Sequence, residues 1–176
     1  IKYGFGFGQD GITKGEICFN TSITGYQEIM TDPSYSNQII NFTFPHIGNV
    51  GTNIEDYETA NPNGKIHVAG IIVHSPITLP SNYRSKLSLS EWMDKNHITG
   101  AYGIDTRYVT KRIRDYGMMN CIVQYHKKGD FDLDFLKKEL NNIERMEGLD
   151  LASQASTTKD YIDNKKSWEW QEGYNI

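Results

Sequence analysis

Apolar positions alternate from the first residues, where Tyr3, Phe5 and Phe7 share one face of a strand over residues 1–8 with glycine opposite. Ile17 and Phe19 repeat the alternation over Glu16 to Asn20, and Ile40, Phe42 and Phe44 repeat it over Gln38 to Phe44. Asp10-Gly11 between the first two runs predicts a hairpin turn. Lys65 to Val73 is apolar on both faces, Ile66, Val68 and Ile72 against Ala69, Ile71 and Val73. It predicts a strand covered on both sides in the middle of the domain. Cys121 to Gln124 predicts a further buried strand.

Helical spacing alternates with these runs. Thr24 to Met30 predicts a short helix that ends before Pro33, because the residue ahead of a proline avoids the α region. Ser88 and Glu91 form a capping box before Trp92 and Met93, and Gly100 follows shortly after that helix. Asp105 caps the next helix, in which Thr106, Val109, Ile113 and Tyr116 make one stripe and Gly117 supplies the stop. Arg107, Lys111 and Arg114 stand opposite as a short basic face, read first as solvated surface. Phe131 to Met146 is amphipathic through Leu133, Leu136, Leu140 and Ile143. Asn53 to Gly64 and Ser75 to Ser88 predict loops. Beyond Gly148 the chain turns polar, punctuated by Trp168 and Trp170. The pattern divides into a mixed α/β domain over residues 1–150 and a linker over 151–176.

Composition narrows this picture. With 176 residues, 38% hydrophobic and 23% charged, the chain can bury the core of one domain. No apolar run approaches the ~20 residues of a membrane helix, and no signal segment opens the chain. A net charge of −4 argues against a nucleic-acid coat. Cys18 and Cys121, both in apolar runs, read as reduced buried thiols of a cytoplasmic protein, with a disulfide as the lesser alternative. The start at Ile1, inside a strand-like run, reads as a piece of a longer product.

Motifs for chemistry are few. Gly6-Phe7-Gly8-Gln9-Asp10-Gly11 fits the dinucleotide fingerprint, but no helix opens at its third glycine to meet a pyrophosphate, so a nicotinamide oxidoreductase is rejected. His46, His67, His74, His97 and His126 lack ligand spacing, so no metal site is expected. His67 and His74 suit structural hydrogen bonds better than general-base roles. No nucleophile elbow, phosphate loop or activated cysteine context is present. The polar connection between Glu16–Asn20 and Gln38–Phe44 is the place for a site. It carries Asp32-Pro33-Ser34, with φ fixed at Pro33, and a second turn follows at Pro45, Gly48, Asn49 and Gly51.

The wording of that region is more specific than its chemistry. FNTSITGYQEIMTDPSYSNQII, PHIGNVGTN, GIDTRYVTKRIRDYG and TTKDY, in this order, resemble the small subunit of glutamine-dependent carbamoyl-phosphate synthase, from about Gly4 to Trp170. One departure is Cys121, where that family usually has glycine before an apolar pair. The resemblance implies a three-layer β/β/α domain of the small-subunit N-terminal type, with a first strand ahead of Ile1. It implies no catalytic residue in this chain, the Cys-His-Glu triad belonging to a glutamine amidotransferase domain that would follow the linker. The domain would dock the large subunit, where ATP and Mg are expected, and brace the amidotransferase domain. The whole enzyme would supply ammonia from glutamine to carbamoyl phosphate synthesis for arginine and pyrimidines. Ser34, the serine of the Asp-Pro-Ser-Tyr motif, would contact that glutamine. No cofactor, nucleic acid or membrane is implied for this chain. The competing reading is a stand-alone interaction module on the same fold.

Overall fold

The structure, a computed structural model, describes residues 1–58 and 66–144 together with Asp150. Six strands form one mixed sheet: β1 (Phe5–Gly8), β2 (Gly11–Asn20), β3 (Gln38–Phe42), β4 (Gly70–Ile72), β5 (Thr99–Tyr102) and β6 (Met119–Tyr125), in the order β1-β5-β4-β3-β2-β6. The four inner strands run parallel, while β1 and β6 close the two edges antiparallel. Parallel neighbours need crossovers, and α1 (Tyr26–Thr31) and α2 (Leu89–Lys95) lie in those from β2 to β3 and from β4 to β5. Helix α3 (Thr106–Tyr116) joins β5 to β6, and α4 (Leu133–Asn141) follows β6.

Alternation along the strands divides the core in two. Cys18, Ile40, Phe42 and Ile71 point to one side, where Tyr26 and Met30 of α1 and Leu89, Trp92 and Met93 of α2 meet them. Ile17, Ile39, Ile72 and Val123 point to the other, under Ile113 of α3. Asn41 stands on that second face with no exposed surface. Its Nδ2 donates to the Thr106 carbonyl at 3.1 Å and to Thr110 Oγ1 at 2.9 Å, which pins α3 to the middle of β3. Cys18 and Cys121 therefore sit on opposite sheet faces, and both are free thiols.

The sheet curls until its halves touch. Thr13 of β2 donates its hydroxyl to the Ala69 carbonyl at 2.7 Å, and Thr99 of β5 donates to the Gln9 carbonyl at 3.0 Å. A side chain at Gly6 would enter the Tyr125 ring, and one at Gly15 would run into the Asn37 carbonyl. The expected α/β class is what the chain adopts, as one curled six-stranded sheet with helices.

Several local expectations change. Gln9 and Asp10 do form a tight connection, but β1 and β2 are not a hairpin. β1 pairs with β5, and β2 with β3 and β6, because the connection crosses between the two halves of the curl. Its polar groups bond outward accordingly, Gln9 N–H to the Ile98 carbonyl and the Asp10 carboxylate accepting from Lys127 N–H. Among the described residues 66–73 of the expected Lys65–Val73 strand, Gly70–Ile72 is strand, and it lies in the sheet interior with its residues buried as expected. The capping box at Ser88 and Glu91 forms. The helix it opens ends with His97 in the left-handed region at φ 58°, whereas Gly100 lies inside β5 against the Phe7 ring. Tyr116 leaves the buried stripe of α3 and is exposed beneath the Arg112 guanidinium, 4.3 Å from its ring centre. Helix α4 is shorter than Phe131–Met146, with Leu133, Leu136 and Leu140 half-buried. The linker over 151–176, with Trp168, Trp170 and the TTKDY motif, lies outside the described residues.

The curl gives a direct test. Gly15→Ala would place a methyl group against backbone that cannot rotate away. It should lower stability by about 1–3 kcal/mol, read as a shift of the urea midpoint at unchanged slope.

Candidate functional site

The Asp32-Pro33-Ser34 turn is fixed from several directions. Asp32 is extended and its carboxylate accepts from Ser34 N–H at 2.7 Å, opening a short 3₁₀ turn over Pro33–Tyr35 with proline at its first position. Ser36 donates its hydroxyl to the Pro33 carbonyl at 2.6 Å and lies 3.1 Å from His67 Nδ1. Tyr35 reaches back so that its hydroxyl accepts from Asn20 Nδ2 at 3.0 Å. Gln38, the first residue of β3, donates Nε2 to the Ser34 carbonyl at 3.2 Å. Asn37 turns the chain at φ 59°, and its N–H meets the His67 carbonyl. Ser34 is exposed at the apex, and its hydroxyl has no hydrogen-bond partner among the described residues. A rigid turn with a free hydroxyl can recognise a polar group but cannot activate one.

Beside this turn, α1 is locked to the Gly48–Gly51 segment. Gln27 is buried and makes a reciprocal pair with Asn53, donating Nε2 to its carbonyl at 2.6 Å and accepting from its N–H at 2.9 Å. Asn53 in turn caps the following loop, its Oδ1 accepting from Glu55 and Asp56 N–H and its Nδ2 donating to Asp56 at 2.7 Å. Arg84 spans Glu55 and Asp56 at 2.9 and 2.6 Å. Gly48 and Gly51 hold φ 113° and 72°, and the segment from Ile77 to Ser85 packs where their side chains would be. Tyr26 is buried below, its phenol pushed up to about 12 by burial and its hydroxyl near the backbone of Gly51 and Val50 without a hydrogen bond. An open polar cleft between Gly25, Glu28, Gly51, Asp56 and Arg84 results. Burial, reinforced by Asp56, raises the Glu28 carboxyl above its ordinary range. Its ionisation therefore costs stability as pH rises through that raised value.

Burial pushes the Cys18 and Cys121 thiols up to about 11, the opposite of an activated nucleophile. His67 and His74 fill structural roles, His74 Nδ1 lying 3.1 Å from the Ile104 carbonyl. Among the described residues no three histidine, cysteine or acidic side chains gather as a metal site, and no helix is long and apolar enough to cross a membrane. Of the residues singled out in the sequence, Ser34 lies exposed on the Pro33–Tyr35 turn. Gln27, Asn53 and Arg84 were missed, because nothing in their spacing shows that loops 26 residues or more apart meet.

A curled mixed sheet thus presents a braced serine turn at its surface. Residues 1–123 match the family described as carbamoyl-phosphate synthase small chain, CPSase domain. The chain is 47% identical over 172 residues to the carbamoyl phosphate synthase small chain of Rhizobium meliloti, covering 98% of this chain and 43% of that one. It is 46% identical over 174 residues to that of Bradyrhizobium diazoefficiens, with 99% and 44% covered. For Zymomonas mobilis the figures are 42% over 174 residues, with 99% and 46% covered. The chain belongs to the carbamoyl-phosphate synthase small-chain family, and it spans less than half the length of these relatives.

Two outcomes follow from the site. Gln27→Ala would leave the buried N–H and carbonyl of Asn53 unpaired, at about 1–3 kcal/mol each. Thermal stability should fall accordingly, and amide exchange should quicken in residues 48–58 ahead of the sheet. For the thiols, a rise from 9.0 to about 11 leaves roughly a hundredfold less thiolate at neutral pH. Ellman's reagent should label Cys18 and Cys121 at least that much more slowly in the folded than in the urea-unfolded chain.

Proposed function

We propose that this chain is the part of a glutamine-dependent carbamoyl-phosphate synthase that docks the large subunit and braces the amidotransferase domain. In the assembled enzyme the amidotransferase releases ammonia from glutamine, and ATP and Mg act on the large subunit. The chain itself contributes no catalytic residue. Support comes from the family membership, from relatives more than twice as long, and from the raised thiols.

Ser34 is the residue proposed to contact the glutamine. The observation that carries this reading is the exposed, unengaged hydroxyl on a turn whose every neighbour is held in place. A donor or acceptor fixed before the ligand arrives loses little entropy on binding, and a serine hydroxyl can meet either an amide or a charged α-substituent. Because the same turn is anchored through Gln38 to β3, its position is set by the sheet and not by the loop alone.

The test is Ser34→Ala in the complete two-subunit enzyme. Loss of one hydrogen bond to a charged substrate group costs ~1.5–3 kcal/mol. The KM for glutamine should rise roughly ten- to a hundredfold. Synthesis from added ammonia, which bypasses the glutamine site, should stay near that of the unmodified enzyme. Stability should also be unchanged, since the hydroxyl is exposed. Equal losses with both nitrogen donors would assign Ser34 to folding or docking instead.

A further inference from the structure

The outward face of α3 carries a cluster that neither the core nor the Ser34 site uses. Arg107, Lys111, Arg112 and Arg114 are all exposed, and none forms an ion pair with a carboxylate among the described residues. Asp115 is the single acidic residue on the helix. This excess of positive charge stands in a chain whose net charge is −4. Two tyrosines interleave it. Arg112 lies over the Tyr116 ring and Lys2 over the Tyr108 ring, each at 4.3 Å, and Tyr108 and Tyr116 are 46% and 69% exposed. Stacked cations have already lost much of their side-chain freedom, so less is lost when they meet a partner. Arginine and tyrosine are also the side chains most enriched at the energetic centres of protein interfaces. The helix is held rigidly behind this face, by Ile113 in the core and by Asn41 through Thr106 and Thr110.

We infer that the outer face of α3 docks an acidic surface of a protein partner, and that in the assembly proposed above this partner is the large subunit. The inference rests on that proposal for the partner's identity and on the charge of α3 for the surface. Acidic character follows from complementarity: four cations with no carboxylate partner among the described residues would be repelled by a basic face and left unsatisfied under an apolar one. The overall negative charge of the chain disfavours nucleic acid as the occupant.

The experiment measures association of the full small subunit carrying this domain with the large subunit, by surface interferometry across a salt series. The variant is Arg107→Glu/Lys111→Glu/Arg114→Glu, and the control is Lys127→Glu/Lys128→Glu, exposed on the far side of β6 from α3 in sequence. Charged groups at an interface act chiefly on the association rate. The triple variant should associate at least about tenfold more slowly at low salt and lose most of its salt dependence. The control should match the unmodified protein. For the unmodified protein, association should slow as salt rises through about 0.5 M, where exposed charges are screened. Failure of the unmodified subunits to associate would remove both the assembly and this surface. Association of the triple variant within about twofold of the unmodified protein, or salt-independent binding by the latter, would overturn the surface alone. A triple variant that loses thermal stability in parallel would show the face to be covered from within the chain. Self-association of the small subunit through α3, or saturable binding of a short DNA duplex there, would equally overturn it.

Discussion

The curl of the sheet sets everything else, and it depends on positions that carry no side chain. Gly6, Gly15 and Gly70 lie where a ring or a neighbouring strand presses directly on the backbone, whereas Gly11, which opens β2 at the crossing, makes only ordinary contact with Thr99. A flat sheet of this order would leave β1 and β6 as distant edges. Curled, it brings Tyr125 onto Gly6, and the Thr13 and Thr99 hydroxyls bond across the crossing. Hydroxyls at these points satisfy carbonyls that the strand ladder does not use, so the close approach leaves no polar cost behind. The two cores then form on either side of the inner parallel strands, one closed by α1 and α2 and the other by α3.

Polar residues in this molecule are positioned by burial of their neighbours. Gln27 and Asn53 act as a substitute strand pair, exchanging two backbone-type bonds between a helix and a loop. Asn41 does the same between β3 and α3, though its Oδ1 is left without a partner. Such buried amides hold a single arrangement because any shift leaves unpaired groups away from water. The Ser34 turn depends on the same device at the surface, with Asp32, Ser36 and Gln38 each closing one local bond.

What could be read from the sequence was local. Ser88 with Glu91, Asp105, Asp32 before Pro33, and Gly117 act on groups within a turn of themselves, and each capped or stopped its element as its chemistry requires. Distant pairing was not legible. Nothing in Asp10-Gly11 distinguishes a hairpin from a crossing between sheet halves, because the turn geometry is nearly the same and only the remote partners differ. Tyr116 fitted the helical stripe by spacing but falls at the end of α3, past the edge of the core, where its ring serves Arg112 instead. Ser34 could be seen as a turn residue from its neighbours, while its proposed role came only through resemblance to a family.

Strand β3 is five residues long and begins four residues after Ser34. Its fourth residue is Asn41, which holds α3. The Ser34 turn and the basic helix thus hang from one short rod with a fixed two-residue period. Insertion or deletion of a single residue between Ser34 and Asn41 would turn Asn41 to the wrong face of the sheet and release the helix. The span from Ser34 to Asn41 therefore tolerates a change of composition far better than a change of count.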